Sequence, residues 1–465
     1  MRRSLVLLLC GLVIGGLCLT LNVLQPEKAA TPAPTPQVQS YRMLYTRDQT
    51  GFASMTVTLA SGESYTVDSS LAYDEQGNYM GVYNGLGQPV TVRGQENFAL
   101  DSTSFQMMLL TATNLPVTAS YSGLDEGACG LDSPAARLEI AYHSGETITL
   151  AIGKAAASGY SCYVKMAGDN SIHLVPLDFR QVMTRPLKEH HRLVPAINAA
   201  PSQAVQIAVV QPDSTAFIAT NHIGEDRILT WQIEKPYLHA GSKTHIEAFV
   251  DEVCALSAAG YEASVSTLEE LAPYGLDTPL RLLVALGDGT IRDIHLGNDA
   301  GNGQVYARMD TTGDVYRVRA ADLPALVQTG TDELLDRFVA LVASKDVRTT
   351  TVTLPQGSYV LAQSRDEAGE IVGQTINGVP VPLNLFGDCY EAIVGIQFDK
   401  VTADLPMGEP LAEVRYDLLN GSALTVAYYD YDVNYVQAVT GTGGSFLLRR
   451  ERFDNMITTL KEAMP

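Results

Sequence analysis

The chain has 465 residues, of which 46% are hydrophobic and 18% are charged. This is ordinary globular composition in a chain long enough for several domains, and it excludes wholesale disorder. The 52 acidic residues outnumber the 31 basic ones, giving a net charge of -21. Such a surface repels phosphate backbones, so nucleic acid is excluded as a partner.

The first predicted element is a membrane helix. An uncharged run of 21 positions, residues 4–24, follows two arginines. At about 1.5 Å per residue this run spans roughly 30 Å, the thickness of a bilayer core. We predict an uncleaved, single-pass membrane anchor, with the arginines on the cytoplasmic side and the C-terminal portion outside. Cleavage as a signal peptide near Ala29 and Ala30 is the alternative.

Two features accompany the predicted anchor. Gly11 and Gly15 form a G-x-x-x-G pair that could allow close contact with another helix. The following stretch, PEKAATPAPTPQ, is rich in proline and predicts a stiff, extended spacer. We therefore assign residues 1–36 to a membrane anchor and a Pro-rich spacer.

The clearest repeat in the rest of the chain is Gly-Leu-Asp-x-Pro. Glycine with positive φ ends a helical turn, leucine caps it with an apolar contact, and aspartate and proline suit a turn that leads into a strand. An active-site aspartate would not be expected twice without neighbouring catalytic residues. We predict that these are structural turn residues: Gly130, Asp132, Pro134, Gly275, Asp277 and Pro279.

A predicted β-hairpin follows each copy of the motif. Apolar residues alternate on both sides of Gly145 in the first copy and of Gly289 in the second. The second strand of each hairpin ends at a glycine, Gly153 or Gly297. Period-two alternation around a glycine turn is typical of an antiparallel hairpin. We therefore assign these four glycines to the same structural role as the motif itself.

A third, weaker copy is predicted near the C-terminus. Pro410 and Gly421 repeat the spacing of Pro134 and Gly145, although the Gly-Leu-Asp element is missing. A predicted hairpin and an amphipathic helix precede each copy. Repeats this long indicate duplicated domains. We predict an α+β fold of three related modules, each an antiparallel sheet with packed helices, behind one transmembrane helix: residues 41–196, 203–342 and 346–465, the last degenerate.

The cysteines and histidines give no metal site. The four cysteines outside the predicted anchor lack C-x-x-C spacing and paired histidines. A disulfide between Cys129 and Cys162 is one interpretation, and four small buried thiols is the other. His190 and His191 are adjacent and cannot share a metal on one helix face, so we interpret them as part of a solvated segment.

Two further motifs predict structure rather than chemistry. YYDYDVNY resembles a calcium loop, but Tyr435 and Gly441 replace the glycine and glutamate that such a loop needs, so we predict an exposed polar strand face. GTGGS lacks the lysine of a phosphate loop and predicts a hairpin turn. We therefore predict no catalytic, cofactor-binding or metal-binding residues.

Taken together, these motifs resemble the bacterial extracytoplasmic domain of unknown function 4340 family. The pattern is Y-G-L-D-x-P, an S-G or D-G hairpin, L-x-I-G, and then a tyrosine and an aliphatic strand. The resemblance covers residues 100–193 and 246–326 and is poor in the third copy, where Tyr429 replaces the strand-end glycine. It implies one N-terminal membrane helix, several modules, and genes nearby for ABC-type transport components. It implies no catalytic residues.

The functional prediction follows from this resemblance. We expect a non-enzymatic, membrane-anchored extracytoplasmic accessory or scaffold protein that partners an ABC-type transporter or other cell-envelope machinery and uses no cofactor. A cell-wall polysaccharide-binding module, with exposed tyrosines holding the glycan, is the alternative. A third hypothesis is a hydrolase, which needs two acids about 5 to 10 Å apart in one cleft.

Overall fold

The computed structural model describes residues 42–69, 76, 90–213, 216–222, 229–309 and 313–463. The described residues divide into two compact units. The first unit holds residues 42–69, 76 and 107–184, and the second holds residues 90–106 and the described residues from 185 onward.

Antiparallel strands dominate both units. The strands are β1 Arg42–Thr46, β2 Phe52–Leu59, β3 Ser64–Ser69, β4 Val90–Val92, β5 Asn114–Val117, β6 Ala119–Ser122, β7 Ala136–Tyr142, β8 Thr147–Ala155, β9 Ser161–Met166, β10 Ser171–Pro176, β11 Ala204–Val210, β12 Phe217–Asn221, β13 Trp231–Lys235, β14 His239–Ala240, β15 Gly260–Ser264, β16 Leu280–Leu286, β17 Ile291–Gly301, β18 Gln304–Arg308, β19 Asp314–Arg319, β20 Val347–Leu354, β21 Gly357–Arg365, β22 Ile371–Ile376, β23 Val379–Pro380, β24 Lys400–Val401, β25 Ala412–Leu418, β26 Ala423–Asp430, β27 Tyr435–Thr440 and β28 Ser445–Arg449. The helices are α1 Ser102–Thr113, α2 Leu177–Met183, α3 Lys243–Ala255, α4 Leu268–Leu271, α5 Leu326–Thr329, α6 Leu383–Val394 and α7 Arg450–Glu462.

The first unit contains one large sheet and one separate pair of strands. Its strands in the large sheet run in the order β3-β2-β7-β8-β9-β10-β6, and β1 pairs with β5. Residues of alternating position along β2 and β7, among them Met55, Val57, Leu138 and Ile140, are fully buried. This alternation of buried and exposed positions is what a half-buried antiparallel sheet requires.

The second unit contains two nine-stranded sheets with one common plan. The second sheet runs β14-β13-β12-β11-β16-β17-β18-β19-β15, and the third runs β23-β22-β21-β20-β25-β26-β27-β28-β24. In both sheets four consecutive strands form a meander, β16–β19 in the second sheet and β25–β28 in the third, and the first of them pairs with β11 or β20. The short strand that follows the helix, β15 or β24, lies at the far edge of the sheet. The strands of the first unit follow the same order.

Helices cover the sheets of the second unit with their apolar faces. In α3, Ile246, Phe249, Val250 and Val253 are buried. Their spacing of three and four residues places them on one side of the helix, as the sequence predicts. Burying side chains of this size stabilises the fold by roughly 1.5–3 kcal/mol each. The apolar residues of α6 and α7 are buried in the same way.

The predicted α+β class, with antiparallel sheets and packed helices, is confirmed. Within the part of the chain that the structure describes, no helix is both long and apolar enough to cross a membrane. The predicted anchor at residues 4–24, with Gly11 and Gly15, lies outside the described residues. The three module boundaries stay a prediction.

Candidate functional site

A cavity of about 300 Å³ lies between the second and third sheets, inside the second unit. We call it the junction cavity. Three parts of the chain line it: the end of the second sheet, the linker of residues 339–343, and the third sheet with its last hairpin turn. The lining residues are Leu229, Trp231, Gln232, Leu238, His239, Ala240, residues 339–343, Asp346, Leu418, residues 424–426 and residues 440–442.

The linker forms an apolar wall because its sequence, Val-Ala-Leu-Val-Ala, has no charged residue. Val339 and Val342 are buried. The Val339 amide donates to Ile396 O at 2.9 Å, and Val342 O accepts from the Tyr390 hydroxyl at 2.9 Å. Both bonds hold the linker to the end of α6 and the residues after it. The linker is therefore a fixed wall of the junction cavity.

The last hairpin turn of the third sheet closes another side. The Thr442 hydroxyl donates to Leu238 O at 2.9 Å, which ties this turn to the second sheet. Gly441 packs closely on β26, where an added Cβ would lie 2.5 Å from Thr425 Oγ1. Aromatic rings pack beside the turn, with Phe446 at 5.1 Å from His239 between ring centroids. The turn thus contributes to the junction through specific contacts.

His239 is the buried ionisable residue of the junction cavity. Its Nε2 lies 2.9 Å from Asp336 O, and because a carbonyl only accepts, Nε2 carries the proton. Burial lowers the pKa of His239. The hydrogen bond to the Asp336 carbonyl raises the pKa, but this effect is smaller than that of burial. The ring is therefore neutral near pH 7, and its other nitrogen, Nδ1, is a hydrogen-bond acceptor.

His190 and His191 are buried, so the prediction of a solvated segment is wrong. His190 Nδ1 lies 2.8 Å from Ser104 Oγ. His191 stacks flat on Tyr261, with 3.7 Å between ring centroids, and its Nε2 lies 3.7 Å from Asp314 Oδ2. Imidazole rings combine an apolar face with polar edges, so they pack well between aromatic rings. Neither histidine lines the junction cavity.

The two Gly-Leu-Asp-x-Pro motifs have the same backbone geometry. Gly130 and Gly275 have φ of 71° and 67°, the left-handed region that favours glycine. The amide of the following leucine donates five residues back, Leu131 to Glu126 O at 2.9 Å and Leu276 to Leu271 O at 3.2 Å. These contacts have the Schellman pattern in both copies. The turn ends a helical segment at Gly275, whereas residues 126–130 before Leu131 form a turn without a helix.

The remaining motif residues lie where each turn leads into a strand. Asp132 and Asp277 are exposed. Pro134 lies two residues before the start of β7, and Pro279 lies directly before β16. Neither aspartate lies at the junction cavity.

The predicted hairpin glycines also have matching positions. Gly145 and Gly289 both have φ of 88° in the turn of their hairpins. A Cβ at Gly153 would lie 2.3 Å from Cys129 O, and a Cβ at Gly297 would lie 2.1 Å from Tyr274 O. Gly153 and Gly297 lie within β8 and β17 rather than in a turn. In each copy this strand glycine permits the close approach of the Gly-Leu-Asp-x-Pro turn.

One family model matches part of the chain. Residues 231–384 match the family described as Domain of unknown function (DUF4340). The match confirms the resemblance to this family and covers residues 246–326 of it; residues 100–193 lie outside the match. No curated protein and no solved structure matches the chain.

The DUF4340 match begins at the strand that contributes Trp231 to the junction cavity and ends within α6. It includes the second copy of the motif, from Gly275 to Pro279, and the linker at residues 339–343. The part of the junction cavity formed by residues 418–442 lies beyond it. The cavity thus combines residues of the DUF4340 match with residues that follow the match.

All four described cysteines, Cys129, Cys162, Cys254 and Cys389, are free and buried. The disulfide interpretation for Cys129 and Cys162 is therefore wrong, and the buried-thiol interpretation is correct. Burial raises the pKa of Cys162 to about 12, so its thiol is protonated at neutral pH. This protonation makes it a poor nucleophile and suits a packing role.

The YYDYDVNY segment is a hairpin turn rather than a strand face. β26 ends at Asp430 and β27 begins at Tyr435. Asp432 Oδ1 accepts from the amides of Asn434 and Tyr435, each at 2.7 Å, which is the geometry of an Asx turn. This local hydrogen bonding prevails over the alternating pattern. GTGGS is the predicted turn between β27 and β28. The described residues contain no cluster of three or more metal-ligating side chains.

The sequence did not reveal the junction cavity. Its residues come from segments as much as 213 positions apart, from Leu229 to Thr442, and no local motif links them. Two signals were present in the sequence. Trp231 is the one tryptophan of the chain. Residues 339–343 form an uncharged run in a chain that is otherwise rich in acidic residues. Neither signal shows which surfaces meet.

Proposed function

We propose that the chain is a membrane-anchored extracytoplasmic accessory or scaffold protein of the bacterial cell envelope, with an ABC-type transporter as its partner. In this proposal residues 4–24 cross the cytoplasmic membrane once and the folded part lies outside. The protein acts by binding rather than by catalysis. The DUF4340 match supports the proposal through the family resemblance on which the prediction was based.

We also propose that the three sheets derive from one duplicated module. Their common strand order supports this, because β2, β11 and β20 each pair with the strand that opens the following meander. The matched positive φ of Gly145, Gly289 and, in the third sheet, Gly421 at 87° adds independent support. Duplication would give a platform that presents similar sheets to partners.

One observation favours the scaffold role over the hydrolase alternative. The junction of the second and third sheets is apolar, and Asp346 is the single carboxylate among the described residues that line it. A glycosidase-type cleft would place two carboxylates opposite each other, whereas an apolar junction holds two sheets in a fixed arrangement. Exposed tyrosines, which the glycan-binding alternative needs, are dispersed: Tyr121 lies on β6, Tyr160 in a turn and Tyr431 in the Asx turn.

Co-purification tests the accessory role. The full chain with a C-terminal affinity tag is expressed in its own bacterium, crosslinked in intact cells and purified from solubilised membranes. We expect mass spectrometry to identify subunits of an ABC-type transporter. Recovery of the chain without any envelope protein would contradict the proposal.

An anchor-free variant provides the control. Residues 1–36 are replaced by a cleavable secretion signal, so that the folded part is released outside the membrane. In cells that lack the transporter, we expect this variant to be absent from the membrane fraction. In cells that overproduce the transporter, we expect it to be found in the membrane fraction. Membrane retention that does not depend on the transporter would contradict a partner bound by the folded part.

A further inference from the structure

The junction cavity has the size and lining of a small-molecule site. Its volume of about 300 Å³ lies at the lower end of ligand pockets. With about 30 Å³ for each non-hydrogen atom, it accommodates a molecule of roughly ten such atoms. The cavity is therefore too small for a folded partner and large enough for a specific ligand.

The walls select against charge. The side chains around the cavity are mainly aliphatic: Leu229, Val339, Leu341, Val342, Leu424 and Val426. No lysine or arginine is among the described residues that line it, so a bound anion would lose its hydration without gaining a counterion. Asp346, the one carboxylate, is exposed and stays hydrated. The favoured ligand is uncharged, with most of its surface apolar.

His239 supplies the polar recognition. The residue is 9% exposed, lines the cavity, and uses Nε2 to donate to Asp336 O. Nδ1 makes no hydrogen bond to any residue that the structure describes. Because the unprotonated nitrogen of a neutral imidazole accepts a hydrogen bond, a ligand in the cavity that donates one to Nδ1 gains affinity.

We propose that the junction cavity binds an uncharged, largely apolar molecule of about ten non-hydrogen atoms that donates one hydrogen bond to Nδ1 of His239. The donor is a hydroxyl or an amide group. This inference goes beyond the proposed accessory role and does not depend on it, because the site lies wholly within the second unit.

The test uses two isomers of equal size, 1-octanol and 1-methoxyheptane, titrated into the purified protein. Trp231 lines the cavity and is the one tryptophan of the chain, so its fluorescence reports binding directly. We expect both compounds to change this fluorescence and 1-octanol to bind about fivefold more tightly, as one net hydrogen bond predicts. Octanoate, which is similar in size but anionic, should bind at least tenfold more weakly than 1-octanol.

Three variants separate the elements of the proposal. His239→Leu removes the Nδ1 acceptor together with the bond to Asp336 O, so the preference for 1-octanol over 1-methoxyheptane should fall to about one. Ala340→Leu fills the cavity and should weaken both compounds at least tenfold. Ala368→Leu makes the same change in an exposed turn and should leave binding unaltered. Thermal unfolding of each variant checks that it is folded.

The outcomes are decisive. No fluorescence response to either compound in the wild-type protein, or an equal response in Ala340→Leu, would overturn the site. Equal affinity of the two isomers for the wild-type protein would overturn recognition by His239. None of these results would bear on whether a transporter subunit co-purifies with the full chain, so the two proposals fail separately.

Discussion

Replacing Gly297 by alanine should destabilise the second unit by about 3 kcal/mol. The new Cβ would lie 2.1 Å from Tyr274 O, a backbone atom that a side-chain rotation cannot move away. The Schellman turn around Gly275 or the strand β17 must therefore shift. Urea unfolding, followed by circular dichroism, measures the loss of free energy of unfolding.

Gly287 provides the matched control. It lies in the same hairpin, its φ is not in the left-handed region, and the nearest atom to an added Cβ is 3.6 Å away. Gly287→Ala should change the free energy of unfolding by less than about 0.5 kcal/mol. Equal effects of the two substitutions would show that the close approach at Gly297 does not contribute to stability.

The first unit offers an independent repetition. A Cβ at Gly153 would lie 2.3 Å from Cys129 O, so Gly153→Ala should be as harmful there as Gly297→Ala is in the second unit. In the third sheet Tyr429 occupies the corresponding position on β26, where the Gly-Leu-Asp element is missing. The glycine within the strand is therefore required where the Gly-Leu-Asp-x-Pro turn is present, and the third sheet lacks both features.

Acidification from pH 7 to pH 4 should remove up to roughly 3 kcal/mol of stability through His190 alone. Burial, assisted by nearby Arg185, lowers the pKa of His190 from 6.5 to about 4 in the folded protein. Above pH 6.5 the ring is neutral in both the folded and the unfolded state. As the pH falls, the unfolded state binds a proton first, so stability is lost between about pH 6.5 and pH 4.

Substitution of His190 by glutamine should flatten this pH dependence. His190→Gln has no titrating ring, while its amide can still bond to Ser104 Oγ, which lies 2.8 Å from His190 Nδ1. The variant should be less stable than the wild type at pH 7 and should lose less stability on acidification. His245→Gln, at an exposed position of α3, is the control and should retain the wild-type slope. Parallel curves for the wild type and His190→Gln would contradict this prediction.

Features that depend on neighbouring residues in the chain were predicted well. The apolar stripe of α3 follows from spacing alone, because the helical period fixes which residues share a face. The hairpins around Gly145 and Gly289 follow from alternation and from the conformational freedom of glycine. The GTGGS turn followed in the same way, from composition that opposes strand and helix.

Features that depend on distant residues were missed. His190 and His191 belong to a charged segment, and their burial depends on Ser104 and Tyr261, which lie elsewhere in the chain. The YYDYDVNY error had a different cause, because alternation indicated a strand while the Asp432 carboxylate made local bonds that end it. The sequence does not show which group forms a hydrogen bond with each polar side chain, and this was the missing information.

The sequence by itself determined the α+β class, the family resemblance, and the turns at Gly130 and Gly275. Each of these depends on residue types and spacing within one short segment. Only the tertiary structure decided that the linker at residues 339–343 meets Trp231, His239 and the last hairpin of the third sheet. Packing of two sheets creates that cavity, and the free energy of packing depends on surfaces whose residues are far apart in the chain.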